Sequence, residues 1–535
     1  MIKEGASHRI VIFSITFLFI IVCYRGISWG NEDEIQISSA PLPENRIELS
    51  SDITFLRLGI KDSILHALRN NFDIEISKLD IKRSDYDIGI ERSVYDPILG
   101  LRGNIDRSKT PINSQLVGGF DVPPQIIVFQ PFIDRGRTAN AVIQSLIPTG
   151  ATLALEYSVF RNFIDPNRFR FLNPSYTNVL EARVTQPLLK GGGLFYNRSL
   201  ISIARNNKRI SLAQFKSLAM EVSDLVQMAY WNFVKAKEDL KVARKSLERA
   251  EDLLRKNRIQ VEVGVLAPIE IIVAEAGVAA RVEAVITAEN AIKNREDELK
   301  RIMNLENDAI VSDAVIIPVD KPVFEPKTVE LEDAMRVAME RRPELHGLQL
   351  EVENAAMRSK RRRNELYPQF DFTGGFRYTG LGDSIGDSND LLWDFRGEFF
   401  GLSLSMPIGN RSARSQYNKS KIEQRQAAMN VKKKELDIVV EVRGAVRDAM
   451  TNIERVYATR KSRELAEKRL EVEERKLEVG RSTSLEILRA QEDLATAEGN
   501  EVKAIVDYEI SLGNLERAKG TIFDAYGIEL EEEVA

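Results

Sequence analysis

Two long stretches of the chain combine apolar and charged residues with the spacing of amphipathic helices. They run over residues 197–262 and 411–478, and neither contains a proline. Apolar positions that recur every three or four residues predict helix, and an internal proline would interrupt it. At ~1.5 Å per residue each stretch predicts a rod of ~100 Å, more than three times the ~30 Å hydrocarbon core of a bilayer. Because both rods are rich in Lys, Arg and Glu, we expect them to cross an aqueous space.

The segments that follow the two rods resemble each other at a constant offset of 216 residues, with Val263-Gly264 matching Val479-Gly480 and Glu270 matching Glu486. Their apolar positions also match: Ile271, Ala274 and Val278 correspond to Ile487, Ala490 and Leu494, and Ile272, Ala279 and Ile286 correspond to Leu488, Ala495 and Val502. Spacings of three, four and seven residues are typical of a coiled-coil seam. The sequence therefore predicts two helical hairpins, each of which turns at a Val-Gly pair.

The segments that precede the rods align at an offset of 271, which pairs Asp62 with Asp333 and Pro97 with Pro368. We therefore predict two structural repeats, each with an amphipathic helix, a β segment and a long helical hairpin. The predicted division is an N-terminal extension (31–57), a first repeat (58–304), a linker (305–330), a second repeat (331–520) and a C-terminal tail (521–535). The first repeat has its helix over 58–92 and its helical hairpin over 197–304. The second repeat has its helix over 331–365, a β-hairpin over 368–407 and a helical hairpin over 411–520.

The β segments alternate apolar and polar residues with a period of two. In the second repeat, Phe370, Phe372, Phe376 and Tyr378 alternate with polar residues, and Phe400, Leu402, Leu404 and Met406 do the same on the return strand; in the first repeat, Leu99, Leu101 and Ile105 alternate with Arg102, Asn104 and Asp106. Strands of a membrane barrel have this pattern, with one face toward lipid. A half-exposed strand of a soluble protein has it too.

A further hairpin is predicted inside the first repeat, with strands over 138–146 and 151–160 and a turn at Pro148-Thr149-Gly150. We interpret it as part of an insertion, 108–177, on the outer surface. Each chain then supplies four barrel strands, too few to close, because a membrane sheet cannot leave open edges in lipid and closed barrels need ~8 or more strands. Three copies sharing one barrel would supply twelve. Six strands per chain is the alternative.

The first thirty residues have the pattern of a secretory signal peptide. Lys3 and Arg9 precede an apolar run over 10–23, and small residues follow at Ser28 and Gly30. A retained membrane anchor is the alternative, although the run is short for a bilayer span. The single cysteine of the chain, Cys23, lies in this segment, so disulfides and thiolate metal sites are not expected elsewhere.

Composition argues against several other functions. The net charge is −5, which does not suggest nucleic-acid binding, and the chain has only three histidines. No catalytic constellation of histidine, cysteine or serine can be assembled, and Gly191-Gly192-Gly193 lacks the lysine-serine pair of a phosphate-binding loop. We expect no enzyme activity, no cofactor and no metal.

Several short motifs give the chain a resemblance to the TolC family of outer-membrane channel-tunnels. They are Ala67-Leu68-Arg69-Asn70-Asn71, Tyr95-Asp96-Pro97, residues 186–193 (QPLLKGGG) and the two Val-Gly turns. The resemblance implies a homotrimer in the outer membrane, with a β-barrel shared between subunits and a long α-helical barrel through the periplasm. It also implies two partners, a periplasmic adaptor and an inner-membrane pump or secretion ATPase.

The helical turns are the candidate docking site. Glycine after the Val supplies a left-handed helix C-cap, and Thr483 with Glu486 is predicted to begin the next helix as a capping box, with Pro268 in the first turn of the other. In the family the corresponding turns meet the adaptor. The candidate docking residues are Val263, Gly264, Val265, Leu266, Val479, Gly480, Arg481, Ser482 and Thr483. A purely structural capping role is the alternative.

Glu486 and Arg489 are the candidate gate residues. They occupy the positions at which the family has two aspartates one helical turn apart. Glu486 is acidic like the first aspartate, whereas Arg489 replaces the second with a cation that can pair with Glu486. This departure puts a doubly acidic constriction in doubt. The alternative for Glu486 is stabilisation of its own helix N-terminus.

Three functions are consistent with these features. The leading hypothesis is a passive outer-membrane duct for small molecules that an inner-membrane pump exports. The second is the outer-membrane component of a type I protein secretion system. The third, of another class, is a periplasmic coiled-coil adaptor or tether that does not enter a membrane.

Overall fold

The computed structural model describes residues 47–50, 53–111, 121–122, 126–127, 131–165, 170–305 and 314–529. The predicted signal peptide and Cys23 lie outside the described residues, as do parts of the N-terminal extension, the insertion, the linker and the tail. The strands are β1 (Ile47–Ser50), β2 (Ile53–Leu58), β3 (Ile98–Thr110), β4 (Asp121–Val122), β5 (Ile126–Ile127), β6 (Phe132–Leu146), β7 (Thr152–Asp165), β8 (Ser175–Pro187), β9 (Val315–Pro318), β10 (Gln369–Gly382) and β11 (Arg396–Ser405). The α-helices are α1 (Ile60–Asn70), α2 (Phe72–Arg92), α3 (Leu194–Glu262), α4 (Ile269–Met303), α5 (Leu331–Arg341), α6 (Pro343–Asn364), α7 (Ile385–Asp390), α8 (Arg411–Glu478), α9 (Ser484–Lys519) and α10 (Ile522–Tyr526).

The two predicted rods are single helices. α3 has 69 residues and α8 has 68, so each is ~100 Å long. Each turns back into a shorter helix, α4 or α9, and these end at Asn304 and Gly520 in the left-handed conformation. These two C-caps are again 216 residues apart, so the repeat extends to the end of both hairpins. None of the helices in the described ranges is both long and apolar enough to cross a membrane.

The amphipathic segments that precede the strands are each broken into two helices, whereas the sequence predicted one helix in each repeat. Asn71 is extended (φ −67°, ψ 130°), and its side chain accepts hydrogen bonds from the N–H groups of Asp73 and Ile74, so it caps a new helix. Arg342 is extended because Pro343 follows it and excludes the helical conformation. Both breaks were legible in the sequence, as an asparagine cap and an X-Pro step.

Six strands form one antiparallel sheet in the order β11-β10-β8-β7-β6-β3. The β6–β7 hairpin, which the sequence analysis placed in an insertion on the outer surface, pairs along its length with β3 and β8. The number of strands that each chain adds to a membrane barrel stays a prediction, but in the single chain the hairpin is part of one continuous six-stranded sheet. The reason is that β6 and β7 are as long as their neighbours and satisfy the backbone groups of both, which a separate surface hairpin would leave unpaired.

The register places the apolar side chains on one face of this sheet. Phe370 lies opposite Leu404 and Phe372 opposite Leu402, while Leu99 lies opposite Ile143. Many of these side chains are exposed in the single chain; Leu101 is 76% exposed and Phe400 is 72% exposed. An exposed apolar face of this kind is typical of a sheet that contacts lipid.

The main core lies where the helices of the first repeat pack around β2 and β9. It contains Leu58, Ile64, Tyr230, Phe233 and Ile316, all with no exposed surface. In the long hairpins, α3 packs against α4 and α9, and α9 packs against α8. The helices thus form a row in the order α4-α3-α9-α8, with α4 and α8 at its two open edges.

Candidate docking and gating site at the helical tips

The long helices α3 and α8 end in the same hydrogen-bonded turn. Gly264 has φ +81° and Gly480 has φ +71°, values that L side chains rarely adopt. The N–H of Val265 donates to the carbonyl of Gln260 at 2.8 Å, and the N–H of Arg481 donates to that of Lys476 at 2.7 Å. Together with bonds from the two glycine N–H groups, these define a Schellman motif at each tip.

The returning helices begin differently. Thr483 is the N-cap of α9, and its hydroxyl accepts from the N–H of Glu486 at 3.4 Å. The reciprocal bond of the predicted capping box is replaced by an ion pair of the Glu486 carboxylate. Pro268 is the N-cap of α4, one residue before the first-turn position predicted for it.

The tips expose apolar side chains. Val263 is 66% exposed, Val265 is 71% exposed and Val479 is 69% exposed. Leu266 is half-buried and Arg481 is exposed, while the Ser482 hydroxyl donates to the Glu473 carboxylate at 2.9 Å. Exposed valines at the end of a rigid helical hairpin form a suitable surface for another protein.

The two tips are joined by a polar contact that the sequence analysis did not identify. The Glu270 carboxylate accepts a hydrogen bond from the N–H of Ser484 at 3.1 Å. The side-chain amide of Asn257 donates to the Ser484 hydroxyl at 2.7 Å and to the Glu270 carbonyl at 3.2 Å. Asn257 and Ser484 are fully buried. Residues of both hairpins thus share one network, although each looks like an ordinary helix residue in the sequence.

Glu486 and Arg489 form an ion pair on α9, with Oε1 of the acid 2.8 Å from the guanidinium. Their side chains are 42% and 60% exposed, respectively. The structure thus confirms the predicted pairing between neighbouring turns of the helix. Both side chains lie near the α9 N-terminus, and their role in gating stays a prediction.

An apolar layer beneath the tips holds the two hairpins together. Ala250 of α3, Leu470 of α8 and Ile487 of α9 are buried in it, with Ala274 of α4 fully buried nearby. One predicted seam, containing Ala274, Ile487, Ala490 and Leu494, is therefore internal. The second predicted seam differs between the repeats. Leu488 is buried, whereas Ile272, its counterpart in the first repeat, and Ile286 are each 61% exposed.

The comparisons with known proteins identify the class of protein that this fold and these tips define. A family model described as outer membrane efflux protein matches residues 64–305 and 334–521. The chain belongs to the outer membrane efflux protein family. It is therefore a TolC-like outer-membrane channel protein with a long periplasmic portion. The members of its family are transport channels and not enzymes.

Solved structures of outer-membrane channels share the fold at low sequence identity. OprN is 14% identical to this chain, with a TM-score of 0.62, and the match covers 86% of this chain and 90% of the OprN chain. CmeC of Campylobacter jejuni is 16% identical with a TM-score of 0.60, covering 95% of this chain and 92% of its own. MtrE of Neisseria gonorrhoeae, solved in an open state, is 17% identical with a TM-score of 0.59, covering 93% and 98%. No curated protein sequence matches the chain significantly.

Proposed function

We propose that three copies of this chain form a passive duct through which small molecules leave the cell. An inner-membrane pump would supply the solutes, and a periplasmic adaptor would join the pump to the helical tips. The observation that carries this proposal is the combination in one chain of an unclosed sheet with an apolar face and a pair of ~100 Å helical hairpins.

The two edges of the sheet support closure by copies of the same chain. β3 and β11 are the edge strands, and the alternating strand directions make them antiparallel to each other. β3 of one copy therefore meets β11 of the next with the geometry of an antiparallel pair. Three copies then supply eighteen strands, a number that leaves an aqueous channel in a membrane barrel.

The helical row has matching edges. On α8, exposed apolar side chains recur every seven residues at Ile422, Met429 and Leu436, and again at Leu465 and Val472, with Val479 following directly after the helix. On α4, Ile272, Val282 and Ile286 are exposed. A seven-residue apolar stripe is typical of a helix that packs on a partner helix. We infer that α8 of one subunit packs against α4 of the next, which closes the helices into a tunnel.

Deletion of the gene and complementation test transport. Cells that lack the protein are expected to accumulate fluorescent dyes and to become sensitive to small apolar toxic compounds, and the wild-type gene is expected to reverse both effects. Unchanged accumulation together with the loss of one or a few proteins from the culture medium would contradict small-molecule efflux and identify the secretion alternative. Recovery of the protein in the soluble periplasmic fraction would identify the tether.

Electron microscopy of the purified assembly tests the architecture separately. The expected particle has threefold symmetry, eighteen barrel strands and twelve long or returning helices in the tunnel wall. Twelve barrel strands would show that the β6–β7 hairpin leaves the barrel in the membrane. A particle of another symmetry would contradict the trimer.

Cross-linking tests the docking proposal. Cys23 is the only cysteine of the sequence, so Val265→Cys or Val479→Cys introduces a single reporter beyond the predicted leader. With a bifunctional reagent in cells, both variants are expected to form an adduct with a periplasmic protein, whereas Val323→Cys, also exposed at 56%, is not. Adducts only between copies of this chain would favour the capping role alone.

A further inference from the structure

The end of the sheet that lies farthest from the helices carries four arginines close together. The register places Arg107 of β3 directly opposite Arg135 of β6, and Arg137 of β6 directly opposite Arg161 of β7. Like charges in directly opposed positions destabilise an antiparallel pair. We call these four residues the outer arginine cluster. Two facing pairs of cations need an anion to offset their repulsion.

The sheet places these arginines at the border of its lipid-facing surface. Arg107 follows Leu101 and Ile105 on one face of β3, and Arg161 follows Leu155 and Val159 on the same face of β7. Along β7, Arg161 is ~20 Å beyond Leu155 at ~3.3 Å per residue. The cluster therefore lies where an apolar band ends and lipid headgroups begin.

The described strands provide little negative charge on that face. Lys109 adds another cation there, and Asp165 is the acidic neighbour at the end of β7. By alternation Asp106 and Asp134 belong to the opposite face, although Asp106 also lines the cavity that the four arginines share. Within the part of the chain that the structure describes, no ion pair joins the cluster to a carboxylate, whereas Arg183 and Arg377 pair with Glu181 and Arg396 pairs with Glu398.

Aromatic rings hold two of the guanidinium groups in place. Nε of Arg161 donates to the Tyr176 hydroxyl at 3.1 Å, and its guanidinium lies 5.9 Å from the centre of that ring. The Arg135 guanidinium lies 5.5 Å from the centre of the Phe163 ring. All four arginines line one open cavity of about 390 Å³ together with Ile105, Gly136, Phe163 and the acidic residue Asp106. An arginine positioned in this way retains N–H groups for a planar, two-point contact with phosphate.

We propose that the outer arginine cluster binds the phosphate groups of an anionic glycolipid in the outer leaflet of the outer membrane. This inference rests on the orientation of the channel, in which the sheet end opposite the helices faces outward. Three of the four arginines belong to the β6–β7 hairpin, so this hairpin supplies the lipid site as well as two strands. A bound phosphate neutralises the facing cations and fixes the outer rim of the barrel in its leaflet.

Native mass spectrometry of the detergent-solubilised trimer, titrated with bis-phosphorylated lipid A, measures this binding. Arg107→Gln is expected to weaken binding about tenfold or more, the effect of a lost charge-assisted hydrogen bond. Arg102→Gln is the matched control, because Arg102 is on the same strand but on the opposite face. The fourfold Gln variant of the cluster is expected to lose retention of the lipid. Lipid A without phosphates is expected to bind neither the wild-type protein nor this variant tightly.

Three results would overturn the proposal. They are equal binding by the Arg107→Gln and Arg102→Gln variants, equal binding of phosphorylated and phosphate-free lipid A, and full displacement of the lipid by millimolar inorganic phosphate, which would identify a site for the free ion. A fourfold Lys variant, which keeps the charge, controls for folding and is expected to retain partial binding. Conductance of the cluster variants in planar bilayers is expected to stay unchanged, so loss of channel function and loss of the lipid site are distinguishable.

Discussion

The carboxylate of Glu270 accepts a hydrogen bond from the backbone N–H of Ser484 at 3.1 Å, across 214 residues of sequence. Ser484 is the first residue of α9, so its N–H has no partner within the helix. Glu486, the repeat equivalent of Glu270, instead pairs with Arg489 on its own helix. The duplicated acids have diverged because position 273, which corresponds to Arg489, is Val273. Glu270 therefore has no cation on the next turn of its own helix, and its carboxylate binds the N–H of Ser484 at the other tip.

Replacing Glu270 by alanine is expected to loosen the junction between the tips. The variant leaves the Ser484 N–H without its acceptor, at a cost of about 1–3 kcal/mol of local stability. Hydrogen exchange of the amides at residues 484–488 is the measurement, and faster exchange is expected. Glu275→Ala is the matched control, because that exposed acid lies on α4 near Glu270 and pairs with Arg258 of α3. Equal acceleration in the two variants would show that the contact between tips does not carry the effect.

Charge changes at Glu486 and Arg489 are expected to alter ion conduction with little effect on stability. An exposed pair of this spacing contributes only about 0.3–0.5 kcal/mol, so Glu486→Gln and Arg489→Gln should fold normally. In planar bilayers, loss of the acid is expected to reduce the preference for cations, and loss of the arginine to increase it.

The pair Lys461 and Glu464 provides the control for this experiment. It has the same spacing, a 2.9 Å contact and similar exposure, but lies within α8. Neutralising Glu464 should leave conductance and cation preference unchanged. If charge reversal at Glu486 or Arg489 also changes neither quantity, the gate assignment fails.

A half-buried carboxylate on α9 predicts a dependence of stability on pH. Burial raises the pKa of Glu509 to about 7, against a smaller opposing effect of Lys327. Because the folded protein holds this proton more tightly than the unfolded chain does, the contribution to stability is fully present below about pH 4.5 and is lost as pH rises through about 7.

Glu509→Gln is therefore expected to stabilise the protein at pH 8 by about 1–2 kcal/mol and to have little effect at pH 4. Thermal unfolding of the solubilised protein at the two pH values measures this difference. Glu454→Gln, which neutralises an exposed acid on α8, is the control and should show no such difference. Equal behaviour of the two variants would contradict the role assigned to Glu509.

The two faces of β11 predict opposite tolerance to charge. Leu402 is 66% exposed on the apolar face, and Ser403 is its neighbour on the polar face. Leu402→Arg is expected to destabilise the barrel by about 2–4 kcal/mol, the cost of a cation near the bilayer midplane. Ser403→Arg should be tolerated. The heat stability of the assembled trimer distinguishes the two, and equal tolerance would contradict the assignment of the lipid face.

The sequence by itself determined the elements that depend on neighbouring residues. Proline-free amphipathic runs produced α3 and α8 nearly at their predicted bounds, the Val-Gly pairs produced two identical Schellman turns, and strict alternation produced the two faces of β10 and β11. Each of these follows from periodicity or from the conformational freedom of glycine, which act within a few residues.

Tertiary structure decided what depends on residues far apart in the chain. Alternation predicted the β6–β7 hairpin but could not show which strands accept its backbone hydrogen bonds, because any strand of similar length offers the same groups. Glu270 and Ser484 lack a pattern that links them, and the arginines of β3, β6 and β7 meet only through the register. A contact between distant segments is decided by how the segments pack, and a local sequence pattern does not encode that geometry.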